Sequence, residues 1–254
     1  MSQPVLQVQA LHRSFGLTHI LRGIDLELAA GECLAVIGPN GAGKSTLFNV
    51  MSGALAPSAG DVLLHGRSIA GRSPDAIARL GLARSFQISQ LFEHLSVADH
   101  LRLACLRSRG MRFDGWRGLR GVLAKLPDVK ASLARWLQRL ELGDQQRSLP
   151  GELSYAQQRM LELGMTLASE PQVILLDEPT AGMSRSETEQ FVQRLRVLTQ
   201  GRALMLVEHD MQVVFELADR VAVLHEGRLL ACGTPQQVRG DAAVRSIYLG
   251  GLPC

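Results

Sequence analysis

Cysteine is sparse and unpatterned in this chain. The four residues Cys33, Cys105, Cys232 and Cys254 form no CxxC pair and no metal-binding spacing. That scatter excludes a disulfide framework and fits reduced thiols in a cytosolic protein. Long hydrophobic runs are missing too. None approaches the roughly 20 residues that a helix needs to cross a bilayer. The opening MSQPVLQVQA has no basic segment followed by an apolar stretch, so no secretory signal is expected. A net charge of only +3 gives no overall basic field of the kind nucleic acid attracts. Repeats and low-complexity tracts are also absent. The expectation is a soluble, cytoplasmic protein. With 254 residues, 46% of them hydrophobic, there is material for one large α/β domain with a small insert.

Patterning along the chain changes near residue 32. Before it, Leu6 and Val8 alternate with polar neighbours, and Ile24, Leu26 and Leu28 alternate with Asp25 and Glu27. That period of two predicts half-buried antiparallel strands. Afterwards come three continuous apolar runs, Cys33–Ile37, Val173–Leu176 and Ala203–Val207, each set between helical stretches. Such runs read as parallel strands covered on both faces and joined by right-handed crossovers. Ser73-Pro74 and Thr234-Pro235 read as helix starts, the first helix ending at Gly81. Residues 95–150 show helical spacing, as in Leu133, Trp136, Leu137 and Leu140, with a Gly- and Arg-rich loop at 109–121. From Arg102 to Arg147 basic residues outnumber acids, giving either a solvated surface or a face for a membrane or partner.

The first of those buried strands runs into Gly38, Pro39, Asn40, Gly41, Ala42, Gly43, Lys44 and Ser45, which fits G-x-x-x-x-G-K-[ST] between a strand and a helix. Glycines let the backbone wrap a phosphate chain with its N–H groups turned inward, and the helix start adds a favourable dipole. Lys44 suits the β- and γ-phosphates, Thr46 the α-phosphate, and the Ser45 hydroxyl suits Mg²⁺. The second strand ends in Asp177 and Glu178. Alternation sends these two carboxylates different ways, Asp177 to the metal shell and Glu178 to the attacking water as general base. His209 follows the third strand, on the sheet edge where phosphates bind, placed to sense the γ-phosphate. Glu208 and Asp210 read as fold support and a helix cap.

Leu153-Ser154-Tyr155-Ala156-Gln157-Gln158-Arg159 narrows the choice among phosphate-loop proteins, with Ser154 a good N-cap for a helix from Tyr155 through Ala168. It resembles the signature segment of ABC ATPases, and every other motif falls in that family's order over essentially the whole chain. The resemblance implies the ABC ATPase fold: a P-loop α/β core of mostly parallel sheet, an N-terminal antiparallel β subdomain and an inserted helical subdomain. Its boundaries would be 1–86 for the β subdomain and Walker A part, 87–152 for the helical part, and 153–254 for the signature helix, Walker B and switch. Phe15 then stands where an aromatic stacks on adenine. Gln87, in Arg84-Ser85-Phe86-Gln87, takes the Q-loop place and would join Ser45 and Asp177 around the metal. Ala181–Ser184 is the D-loop. Ser154, Tyr155, Ala156 and Gln157 would close over ATP held by a partner molecule.

Two positions depart from the family. Ala156 replaces a glycine; it either crowds a backbone meant to approach phosphate or sits unstrained in the helix. Ser184 replaces an aspartate. Gly81–Gln87, Val207–Met211 and Val244–Gly250 resemble the ATPases of branched-chain amino acid importers, which share features with urea and short-chain amide importers. Kinship with that group implies an ATP-hydrolysing, Mg²⁺-dependent subunit powering uptake of branched-chain or other hydrophobic amino acids. It would sit on the cytoplasmic face of the inner membrane with two permease subunits and a second, related ATPase chain. A solute-binding protein would be an indirect partner; nucleic acid would not be one. Non-transport ABC proteins and nucleotide sensors are the other classes the motifs admit.

Overall fold

The computed structural model describes residues 4–85, 91–108 and 127–248. They divide into two compact units. The first comprises residues up to Arg84, Gln172–Ala181 and the chain from Thr199 on; the second comprises Ser85–Pro171 and Gly182–Leu198.

Strands β1 (Leu6–Phe15) and β2 (Thr18–Leu28) pair antiparallel as the alternation predicts, with β4 (Ala59–Leu64) and β5 (Arg67–Ser68) extending the sheet in the order β2-β1-β4-β5. The second sheet of this unit has six strands. Four neighbouring pairs are parallel, formed by β9 (Arg220–His225), β3 (Cys33–Ile37), β8 (Ala203–Val207), β7 (Val173–Asp177) and β6 (Leu82–Arg84) in that order. The hairpin strand β10 (Arg228–Gly233) pairs antiparallel on β9. Helix α1 (Lys44–Met51) and inward side chains of both sheets share one core, including Leu11, Leu26, Leu34, Phe48, Val62, Leu175 and Met205. β7 and β8 are buried at every position, which explains why their sequences are apolar without alternation.

The short helix α2 (Pro74–Arg79) starts at Ser73, whose hydroxyl accepts the N–H of Ala76, and it stops two residues short of Gly81. Packed in the second unit are α3 (Val97–Ser108), α4 (Pro127–Leu140), α5 (Tyr155–Ala168) and most of α6 (Arg185–Thr199). Leu133, Trp136, Leu137 and Leu140 of α4 are all buried. The unit takes in α5, so it is larger than the 87–152 insert expected from sequence. The loop expected at 109–121 and Gln87 lie outside the described residues.

His100 of α3 is fully buried. Its Nε2 accepts the N–H of Phe92 at 2.9 Å, and its Nδ1 lies 2.9 Å from the Ser96 carbonyl, so the proton of the neutral ring must be on Nδ1. Burial holds its pKa below the ordinary 6.5, against weaker opposite pulls from the Ser96 carbonyl and Asp99. The unfolded chain therefore takes up a proton that the folded one refuses. Stability should be fully present above the unfolded value and fall as the pH drops below 6.5 toward the lowered native value. Urea midpoints measured across that window should decline with falling pH, and His100→Gln should flatten the slope.

Candidate nucleotide-hydrolysis site

Parallel strands deliver the site residues. β3, β8 and β7 lie side by side and run the same way, so the turns after them meet at one sheet edge. After β3 the chain enters the glycine turn. Gly38 adopts φ +154°, and a Cβ there would sit 2.2 Å from the Leu224 carbonyl oxygen. Gly43, the N-cap of α1, has φ +105°, and a Cβ would meet Leu21 Cδ2 at 2.9 Å. Both positions therefore demand glycine on conformation and on space.

Lys44 follows as the first residue of α1. Its ammonium group is buried within the turn and donates to the carbonyls of Gly38 at 2.7 Å and Pro39 at 3.2 Å. Desolvation pulls its pKa below the usual lysine value, while Glu178 and Asp177 push back. Both carboxylates thus act on this lysine electrostatically. Ser45 is exposed at the start of the helix and Thr46 half-buried.

Asp177 and Glu178 diverge as the strand alternation requires. The Asp177 carboxylate is 3% exposed; Oδ2 accepts from Arg84, and Oδ1 is buried with no hydrogen-bond partner. Such an orphaned oxygen fits a site built to complete a metal's coordination shell. Among the described residues no group of three or more His, Cys, Asp or Glu is set to hold a metal.

Glu178 takes φ +48°, a conformation that costs an ordinary residue roughly 1–2 kcal/mol. Its N–H is bonded to Val207 O at 2.9 Å, and its Oε1 lies 2.9 Å from His209 Nε2. With this strained backbone the carboxylate faces His209, two residues after the end of β8. Behind this pair, buried Glu208 accepts from Thr180 N–H at 3.1 Å and Thr180 Oγ1 at 2.7 Å. Desolvation raises the Glu208 pKa, opposed by those bonds. Asp210 caps helix α7 (Met211–Leu217) through the Gln212 N–H.

Phe15 ends β1 half-exposed, with the Arg13 guanidinium 4.6 Å above its ring. One face of that ring thus already carries a cation.

Within the second unit, Ser154 caps α5. Its hydroxyl accepts the Gln157 N–H, and Gln157 Oε1 accepts the Ser154 N–H, a reciprocal capping box. Tyr155 contributes its ring, against which a Cβ on Gly182 would lie 3.3 Å away, and its hydroxyl accepts from Arg159 Nε at 3.0 Å. Ala156 lies inside the helix and is not among the residues of positive φ, so the methyl group imposes no backbone strain. Ala156→Gly should therefore leave ATP turnover within about twofold and soften the first helical turn by at most about 1 kcal/mol. Steady-state ATPase rates and urea denaturation check both; a several-fold faster variant would mean that the methyl group obstructs closure. Ser184, where the family carries aspartate, caps the start of α6. Its N–H and hydroxyl both donate to Glu187, and its Oγ accepts the Glu187 N–H.

The sequence reading missed Arg84, which ends β6 and reaches Asp177. The signal was present as a lone charge closing the apolar Leu82-Ala83 pair, but three residues are too few to reveal a strand.

The ABC transporter family profile matches residues 21–181. The chain belongs to the ABC transporter family. It is an ABC ATPase that binds and hydrolyses ATP. A second profile, the branched-chain amino acid ATP-binding cassette transporter, matches residues 228–251. The high-affinity branched-chain amino acid transport ATP-binding protein LivG of Escherichia coli (strain K12) is 34% identical, the alignment covering 98% of this chain and 99% of that one. The corresponding protein BraF of Pseudomonas aeruginosa is likewise 34% identical, with the same coverage. Among solved structures, a nucleotide-free ATP-binding cassette from an ABC transporter superposes with TM-score 0.82 at 26% identity, over 97% of this chain and 99% of that one. An ATP-binding cassette of an ABC transporter in its ADP conformation gives 0.83 at 26% identity, over 98% and 100%. No helix among the described residues of this ABC ATPase is long and apolar enough to cross a membrane.

Proposed function

We propose that this ABC ATPase powers the import of branched-chain or other hydrophobic amino acids through separate permease subunits. Its relatives LivG and BraF, aligned over nearly their whole length, are named for branched-chain amino acid transport, and the match at residues 228–251 supports the same class. The single observation that carries the hydrolytic part is the meeting of Lys44, Asp177, Glu178 and His209 at one sheet edge. Lys44 would release its two carbonyl partners and take the β- and γ-phosphates. Glu178 would accept a proton from the attacking water, with His209 orienting its carboxylate and then reading the γ-phosphate. Asp177 Oδ1 and the Ser45 hydroxyl would hold Mg²⁺, joined by Gln87. That ion supplies charge neutralisation of the phosphates. Phe15 would stack on adenine with its free face.

The capped helix α5 would meet the nucleotide of a second ATPase chain, Ser154 and the first-turn N–H groups forming the anion site. Two permease subunits, a related ATPase and a solute-binding protein complete the assembly, at the cytoplasmic face of the inner membrane. Deleting the gene in its own host should abolish high-affinity uptake of leucine, isoleucine and valine. Wild-type chain should restore that uptake, and Glu178→Gln should not. Loss of urea uptake with branched-chain uptake intact would move the cargo to urea and short-chain amides, a branch that Ala181-Gly182-Met183 and Leu224–Gly227 resemble. Intact uptake of all of these would overturn the importer reading.

A further inference from the structure

One cation beside the hydrolytic centre has no part in ATP binding or hydrolysis as assigned to Lys44, Asp177, Glu178 and His209. Arg84 closes edge strand β6, opposite Leu175 in the parallel register with β7. Its side chain is 12% exposed and reaches Asp177, which is 3% exposed. Nη2 donates to Asp177 Oδ2 at 3.1 Å, whereas Nη1 donates to Asn49 Oδ1 at 2.6 Å and Ser52 Oγ at 3.1 Å. Asn49 lies in α1 and Ser52 is its C-cap, so the guanidinium is fixed to the helix that Lys44 begins. The plane lies 5.9 Å over the buried Phe48 ring of the same helix.

How the fork is used decides its role. An arginine that simply neutralises a carboxylate tends to grip both oxygens with parallel N–H bonds. This one gives Asp177 a single nitrogen and spends the other on α1. Oδ1 is left buried with no partner. A carboxylate turns readily about its last torsion, which is broad and nearly two-fold. Pinning one oxygen removes that freedom and leaves the other oxygen in a constant place. Outer-shell partners of metal ligands work this way.

We propose that Arg84 is a positioning residue: it holds Oδ2 of Asp177 so that Oδ1 stays presented to the Mg²⁺ that accompanies ATP, with Asn49 and Ser52 anchoring its guanidinium to the phosphate-binding helix. This rests on the assignment of Asp177 to the metal shell. A mere clamp between α1 and β7 would change stability without changing how much magnesium helps nucleotide bind, and that difference can be measured.

The full-length chain, as wild type, Arg84→Lys and Arg84→Met, is titrated with a fluorescent ATP analogue in magnesium chloride and again in EDTA. Magnesium's advantage is the ratio of the two Kd values. In Arg84→Met this ratio should fall about tenfold, the lower end of what losing an outer-shell partner costs a metal site. The Kd in EDTA should stay within about twofold of wild type, since no phosphate contact is touched. Arg84→Lys, which keeps the charge on a single donor nitrogen but loses the fork, should fall between. An unchanged ratio in Arg84→Met, or equal weakening with and without magnesium, overturns the proposal. Should Arg84→Met fail to fold, Arg84→Lys decides it: a wild-type ratio there overturns it equally. Wild-type chain that binds the analogue under neither condition sinks the hydrolytic reading together with this one. Wild-type binding with a ratio indifferent to residue 84 sinks this one alone.

Discussion

Glu178→Gln should lower ATP turnover by about 10²–10⁴-fold, the range that a positioned general base contributes, while ATP stays bound. Glutamine matches glutamate in size and keeps an amide oxygen that the His209 ring, 2.9 Å from the native Oε1, can still donate to. The positive φ of residue 178 and its backbone bond to Val207 O do not depend on side-chain charge. What disappears is the carboxylate that the proposed mechanism uses to take a proton from water. Lys44 and the glycine turn are untouched, so nucleotide affinity should be preserved, and a slow enzyme should accumulate in its ATP-bound form. Single-turnover phosphate release and retention of radiolabelled ATP measure the two halves of this expectation. A variant turning over within a few-fold of wild type would mean that another group, with His209 the first candidate, accepts the proton.

Lys44→Met gives the complementary result: affinity for ATP should fall about 100-fold, the upper end of what a hydrogen bond to a charged group contributes. The empty protein should barely notice. The ammonium group is buried, its charged form is penalised by desolvation, and it satisfies only the carbonyls of Gly38 and Pro39. Methionine fills a similar volume without that penalty, though it leaves two carbonyls short of a donor. These terms oppose one another, and the urea midpoint without nucleotide should stay close to wild type. Added ATP should raise the melting temperature of wild type and not of the variant, because only a bound ligand stabilises. A variant that still binds ATP tightly would show that the turn's N–H groups and helix dipole suffice without the lysine.

The elements visible in the sequence were those whose pattern is set by burial alone. β3, β7 and β8 are covered on both faces, so a continuous apolar run announced each of them. Caps were equally legible, because Ser73, Ser154 and Thr234 each have a local hydrogen-bonding job that depends on the next three residues only. The short edge strand β6 carries just three residues and was hidden. So was β9, whose apolar Val221–Leu224 resembles the other buried strands but follows only a seven-residue helix. In the site, motif spacing located Lys44, Asp177, Glu178 and His209, while the bonds among them are tertiary facts. No spacing rule could bring Arg84 to Asp177, since that contact is made by the sheet register between β6 and β7. The alanine at 156 was ambiguous on paper because the sequence does not state φ; in the folded chain that position is ordinary helix.

The glycine turn borrows a wall from far downstream. The Leu224 carbonyl abuts Gly38, and Gly227 donates its N–H to Ala42 O at 3.1 Å while accepting that of Arg22 at 2.8 Å. Every residue assigned to the nucleotide, from Phe15 to His209, precedes this β9–β10 corner in the chain. A nascent chain halted after Asp210 would hold all the nucleotide-handling residues yet lack the rim of their pocket. The walls of the phosphate turn are therefore finished only once the chain extends past Gly227.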